Sequence, residues 1–402
     1  MMRKLCIAAA LLSAIVLAQT PDFSAPGRYD WDFRTEDITG TTEVMEDSRI
    51  YFPDSAGEFP QSAIPAPIIV FGHGWQMGID RYYSYAEHLA SWGYVTVLPT
   101  ISNPITNPEH DKRAQLMVDA ARFTSALDTV AGDRFYGALD RWNWGFAGHS
   151  MGGAIALLAA DTLGLYDTLR AVVALASPQT TPPTHSEHLL SPKLLLPGSV
   201  DNIAPWRNVR AAFWADAPAP GTFAVIRGAN HGYFMDFSYF WENGGTATIT
   251  RDTQQMIARR HMTAYFERYL HGDSSDWNFA YTYGDSILRH PTMETVEVRL
   301  PAVAVAEPFV SLVGDLAVGP NPVRGRALIR YGVPESGRVA LVVYDAAGNR
   351  VRTLVNRRES AGVRALMWDA ADDAGKALPA GTYVIRFAGH GWARTRTIAL
   401  LR

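Results

Sequence analysis

The stretch Gly148-His149-Ser150-Met151-Gly152-Gly153 constrains this chain more than any other. It follows the apolar run 142–147 and precedes Ala154-Ile-Ala-Leu-Leu-Ala-Ala160, so it reads as strand, tight turn, helix. A serine between glycines at such a junction forms a G-x-S-x-G elbow. The glycines stand where any side chain would collide with a neighbouring strand or helix, and the turn lifts the hydroxyl above the sheet. The helix that begins at Met151 aims unpaired backbone N–H groups at negative charge forming beside the serine.

The surrounding chain fits that frame. From about residue 29 to residue 271, short β-branched or aliphatic runs alternate with helical patterns, which predicts an α/β fold: a mostly parallel sheet with helices on both faces. Strands are expected at Ile68–Phe71, Val95–Pro99, Asn143–Ala147, Ala171–Ala176, Leu194–Leu196 and Phe223–Arg227. Helices are expected at Tyr83–Trp92, Asp111–Val130, Met151–Leu163, Trp206–Trp214 and Asp252–Leu270. The stretch from Pro301 to Pro308 reads as an extended, proline-bounded connector, after which helical patterns vanish. Runs at Ala327–Tyr331, Val339–Tyr344, Val363–Trp368 and Thr382–Phe387 then predict a small antiparallel all-β sandwich. The expected division is a signal peptide at 1–18, the α/β unit at 19–300, a linker at 301–314 and the sandwich at 315–402.

The signal peptide is read from Met1-Met-Arg3-Lys4, the apolar stretch from Leu5 to Leu17, and the small Ala18 before polar chain. That stretch is too short to span a bilayer, so no transmembrane span is expected in the mature chain. Cys6 is the chain's one cysteine and lies inside it, so the mature protein is expected to rely on burial and hydrogen bonding without disulfides. A net charge of −4 argues against a nucleic-acid partner. Charge is uneven, since residues 315–402 hold 14 Lys and Arg against 7 Asp and Glu.

A serine hydroxyl is a poor nucleophile near neutral pH. It needs a histidine to take its proton and a carboxylate to orient that histidine. With this type of elbow the chain order is Ser, Asp, His. Asp201 ends Lys193-Leu-Leu-Leu-Pro-Gly-Ser-Val-Asp201, a strand running into a turn, whereas Asp216 and Asp236 lack such a strand. Among eleven histidines, His231 lies in a loop just past the next strand. Ser150, Asp201 and His231 are therefore the expected catalytic residues. The loop Gly72-His73-Gly74-Trp75 follows a central strand, and its glycines let the backbone turn inward. The N–H groups of Trp75 and Met151 are the expected oxyanion donors. Trp75, Gln76 and His149 are the expected substrate contacts, with His73 and His149 also shaping loops. His185 and His188 have an i, i+3 spacing but sit in a proline- and threonine-rich loop, and neither metal nor cofactor is expected.

Residues 30–275 resemble the bacterial cutinase, polyester-hydrolase and dienelactone-hydrolase branch of the α/β-hydrolases. The matching segments are Gly74-Trp75, Leu89-Ala-Ser-Trp-Gly-Tyr-Val-Thr-Val97, the elbow, Asp201-Asn-Ile-Ala-Pro205 and Ala229-Asn-His231. The resemblance implies a serine carboxylic-ester hydrolase working through an acyl-enzyme, with the same roles for Ser150, Asp201, His231, Trp75 and Met151. The chain departs from that pattern twice. Ser177-Pro178-Gln179 stands where polyester hydrolases usually carry a tryptophan, and the family's usual C-terminal disulfide is impossible here. Ester hydrolysis is thus better founded than action on aromatic polyesters. The aromatic run from Tyr233 to Trp241 reads either as a cleft wall or as core. Residues 315–402 resemble type IX secretion sorting domains and the Ig-like module of flagellar hook-capping proteins, through Pro320-Asn-Pro322, Val342-Val-Tyr-Asp-Ala-Ala-Gly348, Trp368-Asp-Ala-Ala-Asp-Asp-Ala-Gly375 and Pro379-Ala-Gly-Thr-Tyr383. That implies a secretion-machinery partner and export or surface attachment. Two alternatives stay open: a lipase or phospholipid-acetyl hydrolase with the same triad, and a catalytically silent surface adhesin.

Overall fold

The computed structural model describes residues 22–102, 108–165, 168–288, 290–300, 316–324, 326–359 and 362–401. The expected signal peptide and linker lie outside the described residues. The described residues fall into two compact units, the first within 22–298 and the second within 299–401.

In the first unit, strands β1 (Asp30–Thr39), β2 (Val44–Asp54), β3 (Ala66–Gly72), β4 (Val95–Leu98), β5 (Leu139–His149), β6 (Leu169–Leu175), β7 (Lys193–Leu196), β8 (Gly221–Ile226) and β9 (Met293–Arg299) form one sheet. Their order across it is β1-β2-β4-β3-β5-β6-β7-β8-β9. β3 pairs parallel with β4 and β5, and β7 with β6 and β8, while β1 with β2 and β2 with β4 are antiparallel. The helices are α1 (Tyr83–Ser91), α2 (His110–Leu127), α3 (Met151–Thr162), α4 (Trp206–Phe213) and α5 (Arg251–Phe266).

The central strands are buried on both faces, as parallel strands under helices must be. On one face Ile69, Phe71, Val173, Leu175, Leu196 and Ile226 share a core with Tyr85 and Leu89 of α1 and Ile257, Met262 and Tyr265 of α5. Alternate residues on the other face, among them Ile68, Val70, Val172, Ala174 and Leu195, are equally buried, and α2 packs on β3 and β5. Helix α5 starts where Thr250 accepts a hydrogen bond from the Thr253 N–H. Its regular part stops at Phe266, four residues short of the expected end, and a single π turn over Glu267–His271 follows. Two further short helices precede β9, which is tied to α4 by Arg210 and Trp214, both bonded to Glu297.

The second unit has strands β10 (Leu316–Arg324), β11 (Arg326–Val333), β12 (Gly337–Asp345), β13 (Arg350–Glu359), β14 (Gly362–Trp368), β15 (Gly381–Gly389) and β16 (Trp392–Leu401). They run in the order β13-β12-β15-β16-β10-β11-β14. Among the described residues the strand pairings are antiparallel, as expected of the sandwich, except for one seam. β10 and β16 meet in parallel over the pairs Val323 with Leu400 and Arg324 with Leu401. This short seam joins a four-stranded half to a three-stranded half. Both halves contribute to one core, in which Tyr331 of β11 packs on Phe387 of β15 with ring centroids 4.8 Å apart.

Candidate active site

β5 runs straight into α3, and Ser150 between them has φ +54°, a left-handed conformation that costs a non-glycine residue about 1–3 kcal/mol. The turn closes because its neighbours lack side chains. A Cβ on Gly152 would lie 1.9 Å from the Gly72 carbonyl oxygen, and one on Gly148 would lie 2.4 Å from the Gly152 carbonyl carbon. The same contact sets the loop after β3 directly beside the elbow.

That loop is a hydrogen-bonded turn from Gly74 to Met77 with Gln76 at φ +62°. His73 is buried beneath it. Its Nε2 accepts the Ile101 N–H at 3.1 Å, so its Nδ1 donates to the Gly74 carbonyl at 2.9 Å. Trp75 is 46% exposed, so it is no core tryptophan and its indole is open to solvent. Gln76 is exposed beside it. Met151 is buried at the first turn of α3, where backbone N–H groups lack intrahelical partners.

The carboxylate and the imidazole come from the loops after β7 and β8. Asp201 Oδ2 accepts a hydrogen bond from His231 Nδ1 at 2.8 Å, and its side chain is fully enclosed. Its other oxygen accepts the N–H groups of Ile203 and Ala204, each at 2.8 Å. The local Asx turn and the bond to His231 therefore coexist on one carboxylate.

His231 is held from behind by its loop. Its N–H and that of Gly232 both donate to the Asn243 carbonyl. Asn230 and Gln254 of α5 exchange two hydrogen bonds. Arg251 donates to the Gly232 and Met235 carbonyls and to Ser238 Oγ, and Arg81 bridges the Phe237 carbonyl and Glu242. Sequence reasoning missed these two arginines. The signal available for one was a cation opening α5, ten residues past the end of the aromatic run. In that run Phe234 and Met235 are core, while Phe237, Tyr239, Phe240 and Trp241 are exposed, Phe240 by 81%.

His149 corrects an expectation. Placed among substrate contacts, it is 1% exposed, and its ring packs on His231 and Phe234 at centroid distances of 4.6 and 5.6 Å. Burial holds it well below the usual histidine range and so neutral. Ser177 is buried beneath Gly153, and Gln179 spends its side-chain oxygen on the N–H groups of Thr180 and Thr184, so this loop keeps no aromatic clamp. His188 is bonded to Asp161 at 3.0 Å, and among the described residues no group of three or more His, Cys, Asp or Glu side chains forms a metal site.

A serine on a strained strand-to-helix elbow, with a histidine and a carboxylate on successive loops at the same sheet, defines an α/β-hydrolase. Within that class the chain belongs to the PET hydrolase-like family, whose model matches residues 25–282. It is therefore an ester hydrolase of the α/β-hydrolase type. The FlgD Ig-like domain model matches residues 330–390 of the second unit. No curated protein shows significant similarity to the chain.

Proposed function

We propose that the protein is a secreted serine carboxylic-ester hydrolase of cutinase or polyesterase type. Ser150 Oγ attacks the ester carbonyl while His231 Nε2 takes its proton. The oxyanion that forms is bound by the N–H groups of Trp75 and Met151, which act on charge absent from the ground state. The protonated His231 passes its proton to the departing alcohol, leaving an acyl group on Ser150. Water, deprotonated by the same imidazole, attacks the acyl-enzyme and releases the acid. Asp201 fixes the tautomer and stabilises the imidazolium. No step calls for a metal or cofactor. The observation that carries this reading is the enclosed Asp201 carboxylate, bonded at 2.8 Å to His231 Nδ1 and locked by two backbone N–H groups.

The exposed Trp75, Gln76 and the aromatic group of Phe237, Tyr239, Phe240 and Trp241 supply walls for an apolar small or polymeric ester. The second unit, basic in composition, serves export through a secretion machinery or attachment at the cell surface.

The test is turnover of a short p-nitrophenyl ester by the full chain and by Ser150→Ala. The variant should lose at least 10³-fold in kcat with an unchanged melting curve. Activity retained in a folded Ser150→Ala protein overturns the assignment.

A further inference from the structure

We propose that Tyr82 is a positioning residue, whose buried hydroxyl bridges the Trp75 loop to the ring of His149 that backs His231. The proposal rests on the reading of Ser150, Asp201 and His231 above. Tyr82 lies just beyond the loop, fully buried, with its ring on Phe71 at a centroid distance of 5.4 Å. Its Oη accepts the Gly74 N–H at 3.0 Å and lies 2.9 Å from His149 Nδ1. With its oxygen taking the Gly74 N–H, the hydroxyl is assigned here as the donor to Nδ1, which places the His149 proton on Nε2. The bridge thus runs from the residue before Trp75 to the residue before Ser150. A side chain at Gly74 would break it, since a Cβ there would lie 2.9 Å from Tyr82 Oη.

Neither Tyr82 nor His149 changes charge readily. Burial holds the Tyr82 phenol above its usual range and the His149 imidazole well below its own. The bridge is therefore a fixed neutral link. Its chemical effect is to hold the Trp75 N–H, one residue along, at a constant distance from the elbow. Oxyanion donors are useful only when held where the charge will form.

Tyr82→Phe keeps the packed ring and removes only the bridge. On a short soluble ester its kcat should fall about tenfold while KM changes less than about twofold, because the misplaced donor matters in the transition state alone. His149→Phe should lose a similar amount, and the double variant should lose little more than either single one. Two readouts do not depend on turnover. Nitrogen-15 NMR of the full chain should show His149 as the Nε2–H tautomer, becoming a mixture in Tyr82→Phe. The Gly74 amide should exchange faster in that variant.

An Nδ1–H tautomer in the unmodified protein overturns the bridge. So does a tautomer and Gly74 exchange rate unaffected by Tyr82→Phe. An unchanged kcat, a loss carried by KM alone, or fully additive losses overturn the positioning role. If the unmodified protein turns over no ester, the hydrolase reading fails and the positioning role with it, while the tautomer still decides the bridge.

Discussion

Asp201→Asn should be far more damaging than its single-atom change suggests, and the geometry says why. Asp201 Oδ1 receives two backbone N–H groups, from Ile203 and Ala204, at 2.8 Å each. An asparagine must keep its carbonyl there, since turning its NH₂ toward those donors would leave both without an acceptor, at about 1–3 kcal/mol for the buried Ala204 N–H alone. Its NH₂ is thereby forced toward His231 Nδ1, where Asp201 Oδ2 now accepts at 2.8 Å. Nδ1 can only accept from an NH₂, so the imidazole proton moves to Nε2, the nitrogen that takes the proton of Ser150 in the proposed mechanism. The expected loss in kcat is roughly 10⁴-fold, about 5 kcal/mol of barrier, as for the same change in other Ser-His-Asp triads. KM and the thermal midpoint should stay close to those of the unmodified protein, because side-chain volume and both backbone contacts survive. Stopped-flow hydrolysis of a short p-nitrophenyl ester, with melting curves on the same samples, measures both. A folded Asp201→Asn protein with kcat within tenfold of the original would refute the tautomer argument.

Two further outcomes are expected. Burial holds His88 and His261 at about 4 in the folded protein, against about 6.5 in an unfolded chain. The unfolded state therefore takes up protons first, so their contribution is complete above about pH 6.5 and is lost as pH falls toward 4, by roughly 2 kcal/mol for each at pH 5. Urea unfolding midpoints at pH 7 and pH 5 should differ accordingly, and a His88→Gln protein should show a shallower dependence; equal midpoints at both pH values would reject this. Deleting residues 301–402 should leave short-ester turnover within a few-fold and abolish delivery to the medium or surface of the producing cell, and a folded but inactive truncated protein would show that the second unit shapes the cleft.

The parts legible in the sequence are those whose local pattern answers to a single physical demand. β3, β6, β7 and β8 are buried on both faces, so each shows as a continuous apolar run. The elbow glycines announce themselves because only a missing side chain lets Gly152 lie against Gly72. β1 and β13 were not legible for the complementary reason. Each is an edge strand with one partner, and Asp30-Trp-Asp-Phe-Arg-Thr-Glu-Asp37 and Arg350–Glu359 carry the charges that keep an edge from pairing further. β16 escapes in the same way, since β10 covers it over two residue pairs and leaves Arg394 and Arg396 exposed.

By itself the sequence showed the change from alternating strand and helix patterns to strand patterns alone, the strand-to-helix elbow at Ser150 and the loop positions of Asp201 and His231. Tertiary structure alone decided how the site is held. Arg81, Tyr82, His149, Arg251 and Gln254 reach it from elements separated by up to about 170 residues, and no local spacing records such a meeting. It also decided that His149, next to the serine in sequence, turns into the core. The direction of a side chain on a tight turn depends on what packs beneath it, here Tyr82, Phe234 and His231.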